Sequence, residues 1–295
     1  SSTLTVNGPA ASGTNITGFT ISGAGENGIN INNTDNVTIS NNNITGNSVG
    51  VGINNSQDNT ITNNNISDNT NNGVDVSDDS TSNDISDNTI SGNGGNGVSL
   101  NDSDNNTVSS NTISDNGGNG VDVDSSSGNE ITDNSISGND ENGVYLDSSD
   151  SNTVSNNNIY ENTERGIYQV NSANNTVSNN KIHDNGINVN VTSVDPAYGA
   201  VINNPNKTIT FTFSEAIVNG TGWFEFVNGN REQIAFTSSI EGNTLTITPD
   251  EALADGSYCI YLHTGSVTDQ SGNPLSLSSS YFKIDTTAPT IISTN

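Results

Sequence analysis

The sequence predicts an all-β protein made of a right-handed parallel β-helix over residues 1–188 and an immunoglobulin-like β-sandwich over residues 189–284. The first observation is a repeat of about 23 residues, rich in asparagine and glycine, that runs through the first part. The second is a change, near residue 188, to strands of alternating polar and apolar residues. The third is a hydrophobic content of only 28%, which sustains a folded core only if the core is built by repetition.

Composition and charge alone do not distinguish an ordered solenoid from a disordered chain. Five Lys and Arg residues stand against 33 Asp and Glu, giving a net charge of -28 at neutral pH. A chain that is both acidic and poor in apolar residues is typical of disorder unless its residues repeat in register. The repeat is therefore the observation that decides between the two.

The repeat follows the pattern T-[IV]-S-x-N-x-I-S-x-N, followed four residues later by G-[VI]. Seven copies begin at Thr38, Thr60, Asp84, Thr107, Glu130, Thr153 and Thr176. We expect each copy to form one turn with three short strands, so that each β-branched residue packs on its counterparts above and below.

Two columns of asparagine recur in every copy, and we interpret them as ladders that bind corner backbone groups and one another. Their members are Asn42, Asn64, Asn88, Asn111, Asn134, Asn157 and Asn180, and Asn47, Asn69, Asn93, Asn116, Asn139, Asn162 and Asn185. Because catalytic residues do not recur in each turn, these asparagines are predicted to be structural. A glycine column, including Gly97, Gly120 and Gly143, predicts a corner that needs positive φ or a close backbone approach.

The segment ITGFTISG (Ile16–Gly23) and the repeated NTISGN-type motif are similar to the parallel β-helix repeat family of the NosD-like and surface-protein type. The resemblance covers about residues 10–188 and implies the fold. It implies little about activity, because the same solenoid carries several functions.

Residues 189–284 contain strand-like segments such as KTITFTF (Lys207–Phe213) and SYCIYL (Ser257–Leu262), separated by turn residues. With LTITPDEALADGSYCIYL (Leu245–Leu262) and VTDQSGNPL (Val267–Leu275), this part resembles the bacterial Ig-like domain of the S-layer-protein type. Residues 285–295 are expected to be a linker or the start of a following module, in a chain cut from a longer polypeptide.

No residues are predicted to be catalytic, and the chain is predicted not to be an enzyme. The solenoid contains few bases, and none of the familiar nucleophile, phosphate or zinc motifs occurs. Three tyrosines, Tyr145, Tyr160 and Tyr168, form either a small sugar-contact patch or, as we favour, packing at the end of the solenoid.

No cofactor is expected to be required, and calcium is the one candidate ion, since acidic turns supply the oxygen ligands it prefers. The candidate ligands are Asp78, Asp79, Asp102, Asp104, Asp122, Asp124, Asp147, Asp150 and Asp269. The favoured alternative is a solvated acidic face that keeps the protein soluble.

Glycosylation is expected at a few Asn-x-Ser/Thr sequences if the chain is secreted. The candidates are Asn15, Asn32, Asn36, Asn43, Asn54, Asn65, Asn101, Asn105, Asn174, Asn190, Asn206 and Asn219. The single cysteine, Cys259, can form no intramolecular disulfide.

The function predicted from the sequence is that of an extracellular structural or adhesive cell-surface protein, such as an S-layer, stalk or filament subunit. Its expected partner is itself, head-to-tail or in a lattice, or a cell-surface polymer. Nucleic acid is excluded by charge, and no apolar run reaches the length of a membrane span. The alternative is a carbohydrate-binding or carbohydrate-active β-helix protein, of polysaccharide lyase or hydrolase type.

Overall fold

The computed structural model describes residues 3–186 and 188–288. The chain divides into two compact units, Ser1–Ile187 and Asn188–Asn295. Within the two described stretches, no helix is long and apolar enough to cross a membrane.

The first unit is built from 24 short strands and one 3-10 turn, Pro9–Ala11. In chain order the strands are β1 (Leu4–Asn7), β2 (Asn15–Thr17), β3 (Thr20–Ser22), β4 (Asn27–Asn32), β5 (Thr38–Ser40), β6 (Asn43–Thr45), β7 (Val49–Asn54), β8 (Thr60–Thr62), β9 (Asn65–Ser67), β10 (Val74–Ser77), β11 (Asp84–Ser86), β12 (Thr89–Ser91), β13 (Val98–Asn101), β14 (Thr107–Ser109), β15 (Thr112–Ser114), β16 (Val121–Asp124), β17 (Glu130–Thr132), β18 (Ser135–Ser137), β19 (Val144–Asp147), β20 (Thr153–Ser155), β21 (Asn158–Tyr160), β22 (Ile167–Val170), β23 (Thr176–Ser178) and β24 (Lys181–His183).

These strands form three eight-stranded parallel sheets, each taking every third strand. The first sheet has the order β1-β4-β7-β10-β13-β16-β19-β22, the second runs from β2 to β23, and the third from β3 to β24. The unit is a right-handed parallel β-helix of about eight turns, which confirms that part of the predicted fold class.

Four apolar side chains per turn fill the core of the solenoid. In one turn these are Ile85, Ile90, Val98 and Leu100, all fully buried. Strand β13 of the first sheet supplies two of the four, because its first and third residues both point inward. Each inward residue lies in register with its counterparts in adjacent turns, so a continuous core forms from few apolar residues.

The second unit contains ten strands: β25 (Val191–Asp195), β26 (Ala200–Ile202), β27 (Ile209–Phe213), β28 (Ile217–Asn219), β29 (Phe224–Asn228), β30 (Phe236–Glu241), β31 (Thr244–Pro249), β32 (Gly256–Leu262), β33 (Val267–Asp269) and β34 (Ser278–Ile284). They form two four-stranded sheets, β25-β27-β31-β30 and β26-β34-β32-β29, and the pair β28-β33. Pairing is antiparallel except between β26 and β34.

Aromatic side chains occupy much of the core of the second unit. Phe211, Phe226 and Phe282 are fully buried, and the ring of Tyr258 stacks on Phe282 with centroids 5.6 Å apart. Of the segment predicted to be a linker, residues 289–295 lie outside the described residues. In the described portion, the backbone and side chain of Thr286 donate hydrogen bonds to the carboxylate of Asp255.

Candidate active site

The two predicted asparagine columns form hydrogen-bonded ladders along the corners of the solenoid. The backbone N–H and the side-chain amide of Asn88 both donate to Oδ1 of Asn111, over 2.9 Å and 3.1 Å. The amide of Asn88 also donates to the carbonyl of Ile61, over 2.7 Å. Asn111 itself is 1% exposed, so its polar atoms serve the backbone and are closed to a ligand.

Two further asparagine ladders escaped the sequence analysis. One consists of Asn59, Asn83, Asn106, Asn129, Asn152 and Asn175, and the other of Asn72, Asn96, Asn119 and Asn142. Their spacing of 23 or 24 residues was a detectable signal, since it equals the period of the repeat. The second of these ladders borders the outer face of the first sheet.

The glycine column is required by close packing. A Cβ at Gly120 would lie 2.4 Å from Cγ2 of Ile136 and 2.6 Å from the carbonyl oxygen of Gly143. The left-handed corners are occupied instead by residues such as Asn63, Ser110 and Asp115, with φ near 55°. Of the two explanations predicted for the glycines, the close approach applies to this column.

On the outer face of the first sheet, the residue type changes from turn to turn. One outward-facing column runs, turn by turn, through Thr5, Asn30, Gly52, Asp75, Ser99, Asp122, Tyr145 and Tyr168. The inward columns on either side stay apolar through most turns, whereas the residue type varies along this one. A face that the fold does not constrain is free to carry a site.

Asp122 is the most strongly perturbed acid of this face. Its two carboxylate oxygens accept hydrogen bonds from the side-chain amides of Asn96, over 3.1 Å, and Asn119, over 3.4 Å. Burial, followed by the negative charges of Asp124 and Glu141, raises the pKa of Asp122 from 3.8 to about 6. The carboxyl group is therefore held in place and changes protonation near neutral pH.

Two aromatic rings follow Asp122 along the column. Tyr145 lies opposite Asp122 in the next turn, and its ring is 5.6 Å from that of Tyr168 in the turn after. The guanidinium of Arg165 lies over the Tyr168 ring, 5.1 Å from its centroid. The hydroxyl of Tyr145 donates a hydrogen bond to the carboxylate of Asp147 over 3.5 Å.

Burial and the charge of Asp147 raise the pKa of the Tyr145 hydroxyl, so this group stays protonated and remains a hydrogen-bond donor. Asp122, Tyr145, Asp147, Arg165 and Tyr168 together are called the Tyr145 patch below. It offers a proton-transferring carboxyl, a second carboxylate, flat apolar rings and one cation.

The spacing of the two carboxylates follows from the register. Asp147 lies one turn along the solenoid from Asp122 and two residues along the strand, since Asp124 pairs with Asp147. Strand geometry places their Cα atoms about 8 Å apart. The two acids therefore lie in neighbouring turns of the same outer face.

Other predicted site residues lie elsewhere on the solenoid. Tyr160 stacks on the ring of His183 on the third sheet, with centroids 5.2 Å apart, so it takes no part in the Tyr145 patch. Asp104 and Asp150 each accept a backbone hydrogen bond of 2.6 Å from the adjacent turn. Asp78 and Asp79 lie at an exposed corner with positive φ.

Of the calcium candidates in the second unit, Asp269 is held by protein groups. Asp269 is buried and accepts hydrogen bonds from the backbones of Ser271 and Asn273 and from the Asn273 amide. Among the described residues, no group of three or more His, Cys, Asp or Glu side chains is arranged to hold a metal ion. Calcium binding stays a prediction. All twelve glycosylation candidates lie at exposed or half-buried positions.

A family model for the right-handed β-helix region matches residues 7–127 and 77–245. The chain belongs to the right-handed β-helix family. Nothing in this match separates a NosD-like or surface-protein type from other β-helix proteins, or identifies an Ig-like domain of the S-layer type. No curated protein matches the chain significantly.

Solved structures similar to parts of this chain include two epimerases. For the A-module of mannuronan C-5 epimerase AlgE6 from Azotobacter vinelandii, identity is 15% and the TM-score 0.49, over 59% of this chain and 62% of that one. For the periplasmic alginate epimerase AlgG, identity is 18% and the TM-score 0.46, over 55% and 43%. CopC from Methylosinus trichosporium OB3b matches 33% of this chain and 93% of its own, with identity 14% and TM-score 0.29.

This β-helix protein thus spans less than two thirds of each of the two epimerase chains. The prediction that it is not an enzyme is wrong in the light of these matches, because the similar β-helix structures are epimerases. Motifs within one repeat do not reveal the Tyr145 patch, because its residues come from several turns. Since the likeness is distant, what this chain does must be argued from its own residues.

Proposed function

We propose that this protein is a carbohydrate-active β-helix protein that binds a polysaccharide across the outer face of its first sheet, at the Tyr145 patch. The observation that carries the proposal is the position of Asp122, a carboxyl group with a pKa of about 6, directly beside the rings of Tyr145 and Tyr168. Proton transfer at neutral pH is favoured by a pKa close to that pH, and sugar rings stack on exposed aromatic faces.

Each residue of the patch has a defined role in this proposal. Tyr145 and Tyr168 bind the apolar faces of successive sugar units in adjacent turns. Asp122 donates or accepts the proton, held by the amides of Asn96 and Asn119. Asp147 accepts the hydrogen bond of the Tyr145 hydroxyl and so holds the Tyr145 ring in place.

The proposed substrate is a polysaccharide, and both neutral and acidic polymers have to be considered. The names of the similar epimerases include mannuronan and alginate, which are acidic polymers. A net charge of -28 opposes the approach of such a polymer at low salt, and Arg165 is the cation of the patch. Neutral and uronate-containing polymers therefore both belong in the test.

The second unit and the location are inferred separately. We infer that the second unit is an Ig-like sandwich, because two small sheets of mainly antiparallel strands share one core. An extracellular or periplasmic location is supported by twelve accessible glycosylation sequences. The predicted surface role is replaced by the carbohydrate-active one.

The test is product analysis on a panel of xylan, mixed-linkage glucan, pectin and alginate. New reducing ends report hydrolysis, ultraviolet absorbance of an unsaturated sugar reports elimination, and proton NMR reports epimerisation. We expect at least one polymer to be converted, and Asp122→Asn to lower its turnover by about 100-fold or more.

The matched control is Asp75→Asn. Asp75 lies in the same outward column, and burial raises its pKa too, but its partners across the sheet are Gly52 and Ser99 instead of tyrosine. Its substitution is expected to leave turnover within about twofold of wild type. Conversion of no polymer, or equal loss in both variants, would overturn the proposal.

A further inference from the structure

The sheet β26-β34-β32-β29 of the second unit has one buried face and one outward face. In β32, Tyr258, Ile260 and Leu262 are buried and belong to the core, so the alternate residues point outward. Tyr261 and His263 are two of these outward residues. The outward face is defined by this alternation alone and concerns the second unit by itself.

Five rings follow one another diagonally across this face. The ring of Trp223 stacks on His263, with centroids 4.2 Å apart, and His263 is 6.3 Å from Tyr261. Tyr281 is the diagonal neighbour of Tyr261, because Cys259 pairs with Tyr281 and Tyr261 with Ser279. Tyr198 continues the line, 6.0 Å from Tyr281. Trp223, His263, Tyr261, Tyr281 and Tyr198 are called the aromatic stripe.

Rings of the aromatic stripe are much more exposed than the rings that pack in the core of the same unit. Trp223 is 64% exposed, Tyr198 76% and Tyr281 36%, while Phe226 and Phe282 of the same sheet are fully buried. Exposed aromatic rings arranged contiguously on one face mark a binding surface.

Polar groups lie at the edges of the rings and contact one another. His263 and Glu225 form a contact of 3.2 Å, and the hydroxyl groups of Ser257 and Tyr281 are 3.1 Å apart. A hollow of about 260 Å³ beside the stripe is lined by Glu225, Val227, Arg231 and Tyr261. Hydrogen-bonding groups therefore lie at the edges of the rings, next to a cavity large enough for a sugar unit.

We propose that the aromatic stripe is a second carbohydrate-binding surface, which takes an extended polysaccharide chain. Ring faces contact the apolar C–H faces of sugar units, and Glu225, Arg231 and His263 accept or donate hydrogen bonds to the hydroxyl groups. The surface thus presents ring faces with hydrogen-bonding groups at their edges, which matches the alternating C–H faces and hydroxyl groups of a sugar chain. The proposal does not rest on activity in the first unit.

Trp223 supplies a direct probe, since it is the single tryptophan of the chain and belongs to the stripe. The full chain is titrated with soluble xylan, mixed-linkage glucan and alginate while tryptophan emission is followed. We expect a saturable change with at least one polymer. Tyr261→Ala and Tyr198→Ala should each weaken the apparent affinity by about tenfold.

Two controls separate this proposal from the proposed activity. Phe19→Ala removes a 57% exposed ring from the first unit and should leave the titration unchanged. Asp122→Asn should bind as wild type does in this titration, whatever its turnover. Tyr198→Ala tests the stripe at the most exposed ring, where loss of folding is not expected. Emission that no polymer changes, or wild-type affinity in both tyrosine variants, would overturn the proposal.

Discussion

The two units bury their apolar residues in different ways. In the solenoid, Ile85, Ile113 and Ile136 pack on their own copies one turn away, so a turn contacts little beyond its neighbours. In the second unit, the rings of Phe226, Tyr258 and Phe282 contact one another across strands that are distant in sequence.

This difference changes how function is detected. In the solenoid, a side chain that differs from its counterparts in neighbouring turns is not required by the fold. Asp122 and Tyr145 are two such side chains. The second unit has no such reference, and there the useful signal is a ring that is exposed where its neighbours are buried, as in the aromatic stripe. The following predictions test whether the repeated columns of the solenoid stabilise its fold. They also test whether the fold depends on the residues of its outer face.

The largest effect is expected from Asn111→Ala. The substitution leaves Asn88 without its acceptor, and the carbonyl of Ile85 and Oδ1 of Asn134 without donors from this side chain, all in buried surroundings. The free energy of unfolding should fall by about 3–5 kcal/mol. Denaturant titration measures it, with Thr112→Ala, at an exposed position of the next strand, expected to cost under about 0.5 kcal/mol.

Hydrogen exchange in Asn111→Ala tests the range of the effect. Protection should fall in the turns next to Asn111 and recover with distance along the solenoid, as for any chain of nearest-neighbour contacts. A uniform loss of protection from the first turn to the last would contradict the proposed difference between the units.

A smaller effect is expected from Gly120→Ala, at about 2–3 kcal/mol, because the new methyl group meets Ile136 and the backbone of Gly143. Gly46 is the matched control: its φ is +65°, and a methyl group added there would have no atom within 4 Å. Gly46→Ala should cost about 1 kcal/mol. Asparagine should restore stability at position 46 and fail to do so at position 120, since asparagine relieves backbone strain but not crowding.

The smallest effect is expected from Asp122→Asn and depends on pH. Because folding raises the pKa of Asp122 from 3.8 to about 6, the neutral form stabilises the fold below pH 4, and this stabilisation is lost as pH rises through 6. The variant should therefore be more stable than wild type above pH 7, by about 1–2 kcal/mol after allowance for partial exposure. Thermal unfolding of both proteins between pH 4 and 8 measures the difference, and a variant less stable than wild type at pH 8 would disprove it.

The solenoid could be predicted from the sequence because the same pattern of asparagine, glycine and apolar residues recurs from turn to turn. The period, the short strands, the apolar columns and the columns headed by Asn42 and Asn47 could all be predicted. The columns that include Asn59 and Asn72 were overlooked, although they carry the same period.

The candidate site could be predicted only in part. Tyr145 and Tyr168 were singled out as a possible sugar contact, and Asp122 as a calcium ligand, but their adjacency depends on register between turns. The pKa of Asp122 depends on burial and on charges from Asp124 and Glu141, which no single-sequence pattern displays. In the second unit, the aromatic stripe takes residues from β32, from β34 and from segments next to other strands, and it follows no sequence period.

The most direct test of the account is a carbon NMR titration of the Asp122 carboxyl group, assigned by comparison with Asp122→Asn, in the absence and presence of a polysaccharide fragment that the protein converts. The account predicts a midpoint of about 6 in the free protein and a shift of that midpoint when the fragment binds. A midpoint near 3.8 that no fragment moves would contradict it, because Asp122 would then be an ordinary solvated carboxylate.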